Sequence, residues 1–175
     1  MEIYNWLDDC CNFHESVAWV KVGRKWNLIG KEGSFMCDGG FDGSLGFREG
    51  FAVVTSNGLY NYIDKEGKLL SSTWFDWCGV FYEGLAVVKL DGKYNHICCD
   101  GKLLSNVWFD DCSKFSEGFA AVVLGVKSNY LGKDGKLLSD TWFDFCYSFN
   151  EGFARVKLDD KWFTINKEGV LHEHR

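Results

Sequence analysis

The chain has 175 residues and a formal net charge of −6, with 46% hydrophobic and 17% aromatic residues and no proline. That length buries a sizeable core, and that composition excludes a disordered chain. There is no basic run to attract nucleic acid or an anionic membrane, no apolar run of about 18 residues to span a bilayer, and no signal-like start, so the expected setting is cytoplasmic, without nucleic-acid or membrane partners.

One period organises the rest. Glu recurs at Glu15, Glu49, Glu83, Glu117 and Glu151, 34 residues apart, followed by Gly50, Gly84, Gly118 and Gly152, with Ser16 in the first copy. A fixed period of this size marks a repeat architecture. The copies run over about 15–48, 49–82, 83–116, 117–150 and 151–175 plus 1–14, read as one domain over 1–175. The chain opens in mid-repeat, where Trp6-Leu7-Asp8 matches Trp74-Phe75-Asp76. Gly23-Arg24 in the first copy and Asn57-Gly58 in the second fill one turn position.

The third copy reads most clearly. Leu85 to Leu90 is rich in β-formers, Asp91-Gly92 allows a tight hairpin turn, and Lys93 to Cys98 alternates and returns. A second turn follows at Asp100-Gly101. Its Gly recurs as Gly33, Gly67, Gly101, Gly135 and Gly169, which predicts positive φ. A third strand over Leu103 to about Cys112 then completes a three-stranded antiparallel meander of about six residues per strand. In the last copy Asp159-Asp160 takes the hairpin turn.

Recurrent apolar rows mark the core. They are Ala18, Ala52, Ala86, Ala120 and Ala154; Val20, Val54, Val88, Val122 and Val156; Ile29, Ile63, Ile97, Leu131 and Ile165; and Phe13, Phe47, Phe81, Phe115 and Phe149. One meander cannot bury its apolar face alone, so neighbours stack. The expected fold is all-β: five tandem meanders in a closed propeller-like ring, the N-terminal strand completing the last blade, with an open β-solenoid as the alternative. Cys10, Cys78, Cys112 and Cys146 share one row, which predicts small buried residues and free thiols in a reducing compartment. The adjacent pairs Cys10-Cys11 and Cys98-Cys99 lack the spacing of a zinc site.

The stretches EGFAVV and YNYIDKEGK of the second copy, EGLAVVKLDGKYNHI of the third and EGFARVKLDDKWFTI of the fifth resemble the WG-repeat (KWG-type) family of bacterial tandem β-repeats. The resemblance covers nearly the whole chain. The family's Trp-Gly pair never occurs. Its Trp position holds Trp26, Tyr60, Tyr94, Ser128 and Trp162, and its Gly position holds Asn27, Asn61, Asn95, Asn129 and Phe163. Asn tolerates positive φ, so a bulge is expected at the four Asn and a local difference at Phe163. The resemblance implies a non-catalytic scaffold with no shared catalytic, cofactor or metal residues.

The remaining rows divide into structure and candidate sites. Asp8, Asp42, Asp76, Asp110 and Asp144, with the Glu row, are expected to accept backbone N–H bonds at turns, since five equal copies suit no single active site. Trp6, Trp74, Trp108 and Trp142 are expected to pack between copies. Trp26, Tyr60, Tyr94 and Trp162 sit beside a hairpin turn, where a rim position suits binding. His14, His96, His172 and His174 share no row, and no phosphate loop, GxSxG elbow or HExxH motif occurs. Trp19, His96, Ser128, Arg155 and Phe163 break their rows, and such departures are where a symmetric scaffold acquires one asymmetric site. The expected role is binding a protein or peptide through the rim aromatics; the alternative is a carbohydrate module using the same four residues.

Overall fold

The computed structural model describes residues 8–13, 16–37 and 39–173. The chain is all-β, with five antiparallel sheets, four of three strands and the last of four. It divides into two compact units, Met1–Val80 and Phe81–Arg175. The first holds β1 (Asp9–Cys10), β2 (Val17–Val22), β3 (Lys25–Gly30), β4 (Gly43–Ser44), β5 (Phe51–Ser56), β6 (Leu59–Asp64) and β7 (Trp77–Cys78). The second holds β8 (Leu85–Leu90), β9 (Lys93–Cys98), β10 (Asp111–Cys112), β11 (Phe119–Leu124), β12 (Lys127–Gly132), β13 (Phe145–Cys146), β14 (Phe153–Leu158), β15 (Lys161–Asn166) and β16 (Leu171–Glu173).

Each copy is built on a six-residue hairpin in the expected register. Ala52 faces Ile63 and Val54 faces Asn61 on β5–β6, and Ala120 faces Leu131 and Val122 faces Asn129 on β11–β12. Direct partners share a face, so the Ala, Val and Ile/Leu rows point the same way. All fifteen of these side chains are buried. Fully burying one of the Val, Ile or Leu side chains contributes about 2 kcal/mol. The turns follow from backbone preference: Asn57-Gly58, Asp91-Gly92 and Asp159-Asp160 all have positive φ, as the type I′ turn demands.

The expected third strand is different. Leu103 to Cys112 is not one strand but a connector shared between two hairpins. Leu103 bridges Ile97 and Phe109 bridges Tyr94 of the preceding hairpin, after which β10 pairs β11 of the following one. The same pattern recurs where Phe143 bridges Ser128 and β13 pairs β14. A segment that must satisfy partners on two hairpins has only two residues left for each regular ladder. In the last copy β16 extends the connector's bridge into three paired residues along β15. The expected pairing of the N-terminal strand with the last copy falls on Trp6 and Leu7, which lie outside the described residues; β1 pairs β2.

The Asn expectation is corrected too. Asn27, Asn61, Asn95 and Asn129 are absent from the positive-φ residues, and no bulge forms. Instead Asn95 is buried and donates its Nδ2 to the carbonyls of Ser105 (2.8 Å) and Val107 (3.2 Å), while its Oδ1 accepts the His96 N–H (2.8 Å). Asn61 and Asn129 make the same three bonds, to Ser71, Thr73 and Tyr62, and to Ser139, Thr141 and Tyr130. The buried amide thus staples the connector to the hairpin.

Two further rows deviate in the first copy. Cys78 and Cys146 are buried as expected, and burial pushes each thiol up to about 12, but Cys112 of the third copy is only half-buried and Cys10 is exposed. Phe81, Phe115 and Phe149 are buried, whereas Phe13 is half exposed. Two members of the Trp row pack as expected: Trp74 lies against the cluster of Trp19, Phe41 and Val54, and Trp142 against that of Phe109, Val122 and Leu131.

Candidate functional site

The carboxylate rows are turn-holding devices. Each Glu of the Glu-Gly turns has positive φ, as does its Gly, so the pair forms a two-residue hairpin loop. Glu is an unusual choice there. It is explained by Glu117, whose carboxylate accepts the N–H groups of Glu151 (2.7 Å) and Gly152 (2.9 Å) in the next copy and pairs with Lys167 (3.0 Å). Glu83 likewise accepts the Glu117 N–H at 3.2 Å and pairs with Lys133 at 2.9 Å. The lysine in each pair, then the amides, hold both carboxyls below their ordinary range.

The Asp row ties neighbouring hairpins at their other ends. Asp42 accepts the Asn57 N–H at 2.7 Å with one oxygen and the Lys25 ammonium at 2.6 Å with the other. Asp110 does the same with the Gly125 N–H (2.8 Å) and Lys93. Asp8 takes the Gly23 N–H at 2.6 Å, and Asp144 holds Lys127 at 2.5 Å. These oxygens are committed to structure. Among the described residues no group of His, Cys, Asp and Glu could hold a metal ion.

In the second, third and fourth copies the buried position after the Asn bonds the segment that follows the hairpin. Tyr62 donates its hydroxyl to the Gly79 carbonyl at 2.7 Å, and Tyr130 to the Tyr147 carbonyl at 2.6 Å. In the third copy this position is His96, whose Nε2 lies 2.9 Å from the Ser113 carbonyl. A carbonyl only accepts, so Nε2 carries the proton and Nδ1, buried without a partner, does not. Burial holds the His96 pKa below its ordinary value. His96 is a core residue.

That leaves the aromatic row. Trp26, Tyr60 and Tyr94 are held by a two-way backbone bridge to Phe41, Phe75 and Phe109, with N–H···O distances of 2.7 to 2.9 Å. Trp162 stands at the same register on β15, opposite Lys157. All four side chains are half-buried, as a rim position requires. Three carry a cation over the ring: Lys21 at 5.7 Å from Trp26, Lys89 at 5.0 Å from Tyr94 and Arg155 at 4.8 Å from Trp162. Such contacts contribute about 0.5–1 kcal/mol at exposed sites and occupy one ring face. Tyr60 faces Thr55 instead. Within each unit the row members make no ring contact with one another. Trp26 lines a cleft of about 310 Å³ with Trp19, Phe47, Leu45 and Cys11, and Trp162 meets Tyr147 at 5.8 Å. Phe145 and Tyr147 are exposed aromatics that the rows do not single out, because their positions hold unlike residues in other copies.

An all-β array of hairpins, joined by stapled connectors and carrying half-exposed aromatics beside the turns, defines a tandem-repeat scaffold. Its kind is settled by a family model described as WG containing repeat, which matches residues 62–94, 100–127 and 130–162, more than half of the chain. The chain belongs to this WG-repeat family. Among solved structures it is similar to Hsv2 from Kluyveromyces lactis, with 11% identity and a TM-score of 0.46 over 97% of this chain and 62% of that one. Hsv2 from Kluyveromyces marxianus gives 12% and 0.45 over 97% and 63%. PorZ, a surface component of the type-IX secretion system of Porphyromonas gingivalis, gives 11% and 0.42 over 97% and 26%. The chain thus spans less than two thirds of the length of each of these. No curated protein matches it.

Proposed function

We propose that the protein is a non-catalytic β-repeat scaffold that binds a protein or peptide through its rim aromatics. The observation that carries this reading is the repeated half-exposure of one aromatic position, at Trp26, Tyr60, Tyr94 and Trp162, on hairpins whose other recurrent side chains serve turns, staples and core. Membership of the WG-repeat family supports a scaffold role. The cations over three of the four rings favour a protein partner over a sugar, since a pyranose needs an open ring face and a cationic rim suits polar peptide groups. Eight free cysteines suit a reducing, cytoplasmic setting. A closed, propeller-like ring belongs to the same reading, on the strength of five copies at constant period.

An affinity capture from matched lysate, run beside a Trp26→Ala/Tyr60→Ala/Tyr94→Ala/Trp162→Ala variant of unchanged circular dichroism, tests it. One protein enriched by the wild type and lost with the variant is the expected result. Enrichment that survives the variant removes the aromatic row from the reading, and capture only on glycan arrays replaces it with the carbohydrate alternative. Small-angle scattering on the same samples reads the ring: compact if closed, elongated if open.

A further inference from the structure

Three rings and one unpaired cation gather on a single face of the last sheet. Phe145 of β13 and Trp162 of β15 both lie opposite Lys157 of β14, so their side chains share its face, and Arg155, two residues earlier on β14, joins them. Phe145 and Tyr147 meet edge to face, 5.0 Å apart at 67°, and both are about half exposed. Tyr147 and Trp162 follow at 5.8 Å and 33°, and the Arg155 guanidinium sits 4.8 Å over Trp162. The backbone beneath is fixed. The Tyr147 N–H donates to the Arg155 carbonyl at 2.9 Å, and the Tyr147 carbonyl accepts the hydroxyl of the buried Tyr130.

This group exists in one copy only. The Phe145 position holds Asp9, Gly43, Trp77 and Asp111 elsewhere, the Tyr147 position Cys11, Leu45, Gly79 and Ser113, and the Arg155 position Trp19, Val53, Val87 and Ala121. The charges on the face are unequal. Asp160 holds the Lys157 ammonium at 2.8 Å, whereas Arg155 has no carboxylate at ion-pairing distance among the described residues. A guanidinium stacked on an indole keeps its donor edge free, and that fork matches a carboxylate. On a chain of net charge −6 this is a local invitation to an acidic group. The rings argue for a peptide over a glycan. The 67° angle between Phe145 and Tyr147 makes a notch for a side chain, not a flat bed for a sugar.

We propose that this face binds an acidic peptide segment, with an Asp or Glu carboxylate on Arg155 and an adjoining apolar side chain in the notch between Phe145 and Tyr147. The proposal rests on the protein- or peptide-binding reading and narrows it to one copy. The test uses the full chain on an array of hexapeptides pairing Asp or Glu with Leu, Phe or Trp, beside the same peptides with Asn or Gln. The wild type should bind the acidic set about tenfold better, the effect of one charge-assisted pair. Arg155→Gln should abolish the preference and Tyr147→Ala should weaken binding to both sets, while Val126→Ala, at an exposed residue outside the aromatic row, changes neither. Equal binding of both sets, lost with Tyr94→Ala but not with Arg155→Gln, overturns this site and leaves the peptide reading standing. No peptide binding by any form overturns both. Self-association of the wild type that Arg155→Gln or Tyr147→Ala abolishes would assign the face to a second copy and overturn the peptide site.

Discussion

The second, third and fourth copies differ from the first and fifth in one buried side chain. Asn61, Asn95 and Asn129 each tie two connector carbonyls and one amide into the core. In the first copy Asn27 is only half-buried and, among the described residues, makes one long bond, 3.4 Å, to the carbonyl of Lys25. Its connector carries Gly39-Gly40, and a Cβ at Gly40 would lie 2.4 Å from Lys25 Cβ, so that segment runs closer to the hairpin than a Trp-bearing connector can. In the fifth copy Phe163 replaces the Asn and its strand pairs β16. These two unstapled copies are also the ones with large departures at another position, Trp19 and Arg155 against Val53, Val87 and Ala121. Where the scaffold row lapses, the neighbouring side chains have diverged. At this position the stapled copies stay alike, and the unstapled ones carry the large side chains.

The largest expected effect separates the two kinds of copy. Asn95→Ala removes the bonds to two connector carbonyls and leaves the buried His96 amide without its partner, which together cost about 3–5 kcal/mol. Asn27→Ala removes one weak bond at a half-buried site and costs less than about 1 kcal/mol. Denaturant unfolding of the two variants measures the difference. Equal costs would mean that the staple contributes nothing beyond its volume.

How far the sequence reaches is visible in the same residues. The hairpins and core rows were legible because a strand's side chains alternate with period two and the 34-residue recurrence repeats the message five times. The positive φ of Gly33, Gly67, Gly101, Gly135 and Gly169 followed from recurrence alone. The Asn staple was not legible. Its partners are backbone carbonyls, which leave no trace in the residue types of Ser105 or Val107. Leu103 to Cys112 looked like one strand because local composition records β-preference but not which hairpin each end pairs with. Of the group around Trp162, Arg155 stood out as a departure from an apolar row. Phe145 and Tyr147 did not, because their rows have no common residue to depart from.

A smaller effect tests how tightly copies abut. The recurrent Gly turn lies against a connector carbonyl of the previous copy. A Cβ would come 1.7 Å from the Met36 oxygen at Gly67, 2.5 Å from Leu104 at Gly135 and 2.9 Å from Leu138 at Gly169. All three have positive φ, which alone costs about 1 kcal/mol on replacement by Ala. The contact adds about 1–3 kcal/mol more where it is closest. The expected order of destabilisation is Gly67→Ala, then Gly135→Ala, then Gly169→Ala, read from unfolding midpoints. A flat series would show that only the dihedral matters and that the copies yield freely at this contact.

The smallest effect is a pH dependence confined to the third copy. His96 is folded neutral, with its pKa held below the ordinary 6.5 by burial. Below pH 6.5 the unfolded chain therefore takes up a proton that the folded chain refuses, so stability falls as pH drops from about 6.5 towards the folded value. The second and fourth copies show the remedy. Tyr62 and Tyr130 occupy the same position and reach the same carbonyl, and Tyr130 meets Phe149 at 4.9 Å and 65° as His96 meets Phe115 at 4.8 Å and 76°. His96→Tyr should keep the link to Ser113, remove the orphaned Nδ1, and abolish the loss of stability between pH 7 and pH 5.5. Parallel slopes for wild type and variant over that interval would mean that the imidazole is protonated in the folded chain, and that its Nδ1 finds an acceptor once charged.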